Sequence, residues 1–165
     1  MLFIVGITCF YIFFSWIISK IDLYVLKSYS AVVANFLLNL VGINTQLQFL
    51  AEPTILVAGI QAQINNLCAG DLEIALITAI ILASWGVTWK KRIVGILGAW
   101  ATILILNPLR IFIVLAAGSW FNWSVGNFIH DVFFRLMLLA VIAGYYYIWY
   151  TRYDKIKAFI DDFCK

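Results

Sequence analysis

The chain has 165 residues, 65% of them hydrophobic and 12% charged, with a mean hydropathy of +1.01. A water-soluble domain carries about 25% charged and about 45–50% apolar residues, so this much apolar surface calls for lipid as solvent. The net charge of +3 gathers in two clusters beside apolar runs, which is how orientation is written in a membrane protein, and it does not argue for nucleic acid.

Leu2 to Ser19 is an almost uncharged apolar run, long enough to span a bilayer. No Lys or Arg precedes it and no small-residue cleavage site follows, so it reads as a retained first helix rather than a cleaved signal. Cys9 inside it reads as a small apolar packing residue. From 24 to 41, Lys27, Ser28, Ser30, Asn35 and Asn39 interrupt an apolar pattern at Val25, Leu26, Val32, Val33, Phe36, Leu37 and Leu40. That period predicts an amphipathic helix lying at the interface, with a spanning helix that buries Lys27 as the competing reading. Gly42 ends it.

Residues 43–68 are polar and irregular, with Gln46, Gln48, Glu52, Pro53, Gln61 and Gln63. Backbone of this kind is not tolerated facing lipid, so the segment belongs outside the hydrocarbon, with a short hairpin over 55–64. Residues 71–89 predict the next spanning helix, ended by Lys90-Lys91-Arg92, which places that loop on the cytoplasmic side. Residues 93–120 cross back, an aromatic outer loop follows, and 127–150 cross again into a basic tail from Thr151 to Lys157. The expectation is one all-α membrane domain over 1–165. It has about four transmembrane helices, one interfacial helix, a short extracytoplasmic hairpin or loop, and both termini in the cytoplasm.

Depth arithmetic brings three distant side chains to one level. Cys68 precedes a helix that ends inside at Lys90, so it stands at the outer face. Arg110 comes 18 positions after Arg92, a rise of about 27 Å in a hydrocarbon core about 30 Å thick. His130, the only histidine, lies in the first turns of a helix entering from outside. An arginine at such a depth serves a site or snorkels to the headgroups. A thiol there is an inert packing group, or a nucleophile activated by a helix N-terminus and a nearby cation. Taken together, a candidate site of Cys68, Arg110 and His130 is the better reading. Asn107, Asn66 and Gly70 support it from the same segments. Asp71 and Glu73 favour the helix N-terminus but oppose a thiolate; one of them has the option of orienting His130 or Arg110. Asp131 and Arg135, four apart, read as a structural pair. Cys164 lies near the cytoplasmic end, away from the site.

Asn66-Leu67-Cys68-Ala69-Gly70, then Asn107-Pro108-Leu109-Arg110-Ile111, then His130 resemble the exosortase/archaeosortase family of multi-pass membrane transpeptidases. That family shows Cys-x-Gly opening a helix, Asn-x-x-Arg on the next and His (or Arg) on the one after. Ala31 to Gly42 and the polar run behind it are similar too, so the likeness covers Ser30 to Tyr150. The chain departs from the family in its minimal length, in Ala69 where Ser is frequent, and in Pro108.

The resemblance implies a secreted protein substrate held in the bilayer by a C-terminal sorting signal. Cys68 would form a thioacyl-enzyme, Arg110 would stabilise the oxyanion or thiolate, and His130 would act as general acid/base before transfer to a lipid or envelope amine. Neither metal nor organic cofactor is expected. A peptidase that only hydrolyses, and a non-enzymatic membrane subunit or transporter with Arg110 and His130 along a polar path, are the other two readings.

Overall fold

The computed structural model of the chain describes residues 2–18, 20, 24–65 and 70–163, without the side chains of 2, 133–135 and 153–163. Helices α1 (Leu2–Ile18) and α2 (Tyr24–Leu40) come first. Strands β1 (Thr45–Phe49), β2 (Pro53–Val57) and β3 (Ile60–Gln63) follow. Then come α3 (Asp71–Ala83), α4 (Trp89–Trp120), α5 (Trp123–Phe128), a π turn at Ile129–Phe133, and α6 (Phe134–Phe163). The chain is therefore mostly helical with a small sheet, which amends the all-α expectation. Trp89–Trp120 and Trp123–Arg152 are long and apolar enough to cross a membrane, and Phe3–Ile18 is a shorter apolar helix.

The sheet is antiparallel in the order β1-β2-β3. Ala58 and Gly59 both take positive φ between Val57 and Ile60, the two-residue turn whose twist matches a hairpin. That hairpin overlaps the stretch expected to form one over 55–64 and begins two residues earlier, at Pro53. Strand β1 is an addition: Thr45-Gln46-Leu47-Gln48-Phe49 alternates with period two and pairs along all of β2. The register sets Gln46, Leu56 and Gln61 in one row and Gln48, Thr54 and Gln63 in the next, so all four glutamines share the face turned away from Ile55 and Val57.

Two clusters make the core. Ala31, Ala34 and Leu38 of α2 pack with Ile55, Val57 and Ile64 and with Ile111, Leu115 and Ala116 of α4. Ile77 and Ile81 of α3 pack with Ala99 and Ile103 of α4 and Ile142 and Trp149 of α6. Helix α1 lies along α3, with Gly6 against Ala83. So α2 and the sheet cover the second half of α4, while α1, α3 and α6 surround the first.

Helix α2 is amphipathic in the inverse sense. Lys27, Ser30, Ala31 and Ala34 are buried, whereas Val25 is 80% and Leu40 71% exposed, with Phe36 between them. Its apolar stripe points outward and its polar, small-residue face points inward against α4 and the sheet. Helix α3 also ends earlier than expected, at Ala83 rather than 89. The Ser84 hydroxyl donates to the Ile80 carbonyl and the backbone turns extended there, although Trp85, Val87 and Trp89 keep the sequence apolar.

Candidate active site

Helix α4 carries Asn107 and Arg110 one turn apart, hence on one face, at the level where the two core clusters meet. Pro108 lies between them within the helix and supplies no N–H for the preceding turn. Both side chains are buried, Arg110 with 8% of its surface exposed. Asn107 Nδ2 donates to the buried Ser30 hydroxyl of α2 at 3.4 Å.

Gly70 opens α3 in the left-handed conformation, with φ +81°. A Cβ placed there would lie 3.0 Å from Ile103 Cγ2 and 3.4 Å from Asn107 Cγ. The position thus needs glycine twice over, for its dihedral and for its closeness to α4. Cys68 and Asn66, both singled out from the sequence, lie outside the described residues.

Arg110 is held from two sides. Its Nη1 stands 3.6 Å from Glu73 Oε1, one turn into α3, and both side chains are largely buried. Its Nη2 stands 3.4 Å from His130 Nε2 across the α4–α6 seam. A buried guanidinium without a carboxylate partner is costly, so Glu73 neutralises the site as well as aiming the arginine.

The geometry also fixes the imidazole. A guanidinium has only donors, so the Nε2 facing it must carry a lone pair, and the ring proton then sits on Nδ1. Nδ1 is 3.0 Å from Asp131 Oδ1, which accepts that proton. The sequence pairs Asp131 with Arg135, whose side chain lies outside the described residues; the Asp131 carboxylate also faces His130. Both residues belong to the π turn Ile129–Phe133, a widened turn of the kind that concentrates at functional sites. Helix α5 brings that turn to α4: the Asn122 side chain caps it by accepting from Val125 N, and Gly126 lies directly against Gly118.

A second polar group lies beside this one. Lys27, buried on α2, donates to both Glu52 carboxylate oxygens at 3.0 and 2.9 Å, and its charge also acts on the buried Asp71. The competing reading of this helix buries Lys27, as the structure does, and its signal in the sequence is a single cation inside an apolar pattern. Glu52, Lys27, Asp71, Ser30, Asn107, Glu73, Arg110, His130 and Asp131 thus form one polar belt between two apolar cores. Among the described residues, no three of the His, Cys, Asp and Glu side chains are grouped to hold a metal ion.

Chemically, the belt offers a fixed cation and an imidazole with its lone pair turned inward. Those two groups stabilise a developing anion and carry a proton. The family described as transmembrane exosortase matches residues 1–153 of the chain. No curated protein and no solved structure matches it.

Proposed function

The chain belongs to the transmembrane exosortase family, and from that premise we propose that it is a membrane cysteine transpeptidase acting on secreted proteins that carry a C-terminal sorting signal. Cys68 is the nucleophile. Its thiol gives a proton to His130 Nε2 and its sulfur attacks the scissile carbonyl, while the Arg110 guanidinium receives the oxyanion. The tetrahedral adduct collapses to a thioester, and the departing amine takes the proton from the imidazolium. An acceptor amine then loses a proton to His130, attacks the thioester and releases the Cys68 thiolate, which recovers that proton. Asp131 holds the imidazole in the tautomer this sequence of transfers requires.

The observation that carries the reading is the meeting of Arg110 and His130 at 3.4 Å, 20 positions apart in the chain. Gly70 supports it, because a Cβ built there would come 3.4 Å from Asn107 Cγ, one turn from Arg110. In this account α1, the first half of α4 and α6 cross the bilayer with the shorter α3 packed among them, and the polar belt marks its extracytoplasmic boundary. Helix α2 and the sheet stand at and beyond that boundary, where a substrate helix emerges into water.

Co-expression with a secreted protein ending in a sorting motif, an apolar helix and a basic cluster tests the proposal. The expected result is loss of the C-terminal helix with the wild-type chain and full retention of it with Cys68→Ala. Undiminished processing by Cys68→Ala would remove the covalent mechanism. Mass analysis of the new C-terminus separates transfer, which leaves an amide, from hydrolysis, which leaves a free carboxylate.

A further inference from the structure

At the opposite end of the bundle from Arg110 and His130, the turn between α3 and α4 closes over a pocket of about 300 Å³. Its two walls differ. Gly6 and Phe10 of α1 with Leu82 and Ala83 of α3 form an apolar side, and Ser84, Trp85, Gly86 and Arg92 form a polar mouth. Among the described residues no carboxylate lines it.

Arg92 is the informative residue. One Nη2 proton is used on the Ser84 carbonyl at 2.6 Å, and the guanidinium lies over the Trp89 ring at 4.9 Å. Its Nε is buried and has no hydrogen-bond partner among the described residues. Arg92 lines the pocket as a cation held in place by the Ser84 carbonyl and the Trp89 ring, with donors beyond the one used there, and that chemistry suits an anion. The planar guanidinium fork suits a phosphate, and Lys90 and Lys91 beside it raise the local positive potential.

We propose that this pocket binds the phosphodiester headgroup of an anionic phospholipid from the leaflet at that end of the helices. Arg92 holds the phosphate, and the apolar wall between α1 and α3 takes the first methylenes of an acyl chain. Inorganic phosphate shares the anion chemistry but has no use for Phe10 and Leu82, whereas a lipid satisfies both walls. Basic pockets between spanning helices are suited to such headgroups. The site is separate from the catalytic proposal and stands whether or not that proposal does.

The test is native mass spectrometry of the full chain in detergent, titrated with phosphatidylglycerol and with phosphatidylcholine of the same acyl chains. Phosphatidylglycerol should be retained at least about tenfold more strongly, the scale of one charge-assisted hydrogen-bonded pair. Arg92→Gln should remove that preference and Arg92→Lys should keep part of it. Because Arg92 also serves the Ser84 carbonyl, Trp85→Glu provides a second arm: Trp85 is exposed in the turn, and a carboxylate there should repel the phosphate with Arg92 intact. Equal retention of the two lipids, a preference that survives both Arg92→Gln and Trp85→Glu, or full displacement by millimolar inorganic phosphate would each overturn the proposal.

Discussion

The two halves of α4 sit in different kinds of surroundings. Around its first half, α1, α3 and α6 fit by shape. The Trp149 indole occupies the space a side chain at Gly95 would need, and the Tyr145 hydroxyl lies where a Cβ on Gly98 would come within 2.5 Å. Both rings also bond backbone, Trp149 to the Lys91 carbonyl at 3.0 Å and Tyr145 to that of Gly95 at 2.7 Å. Around the second half, α2 and the sheet are tied on by polar groups: Lys27 to Glu52, Asn39 to Thr45, Thr45 to Asn35, Tyr24 to the Leu50 carbonyl. Among apolar helices small residues and notches decide packing, whereas hydrogen bonds and ion pairs specify position where polar groups meet. The polar belt lies on the seam between these two regimes.

That contrast can be broken at three points. The largest effect belongs to the seam itself. Glu73→Gln removes the carboxylate that faces the buried Arg110 cation and should cost about 3–5 kcal/mol of stability, read as an early thermal transition in detergent together with loss of processing. Next comes the shape-packed half: Gly95→Val must expel the Trp149 indole and should cost about 2–3 kcal/mol, the upper range for overpacking. It should shift the melting transition and quench or redden the tryptophan emission. The polar half should respond least, because Glu52 is partly exposed and recovers water once its partner is gone. Lys27→Met should lower stability by about 1–2 kcal/mol, and proteolysis should find the β1–β2 loop before it finds the bundle. A larger loss from Lys27→Met than from Gly95→Val would reverse the contrast.

Much of this was legible in the chain. Helical rise counted from Arg92 sets Arg110 level with His130, and the structure brings the two together. The turn residues Ala58 and Gly59 mark the hairpin. Strand β1 was hidden because Gln46 and Gln48 read as an irregular polar run, and its alternation becomes decisive only once β2 lies beside it. The end of α3 was hidden by composition: the aromatic residues 85 and 89 hold the hydropathy high while Ser84 withdraws the backbone from the helix. The period of α2 was legible, and the buried Lys27 belongs to the competing reading of that helix. The bond between Asp131 and His130 depends on a π turn that no periodicity of 3.6 announces.

The most direct measurement is the rate at which Cys68 is alkylated by iodoacetamide, in a chain where Cys9 and Cys164 are replaced by Ser so that one thiol remains. Arg110→Gln and His130→Gln should each slow it about tenfold near neutral pH, because a neighbouring cation and base raise the thiolate population. Alkylation of Cys68 at one and the same rate in all three chains would contradict the claim that thiol, guanidinium and imidazole share a site.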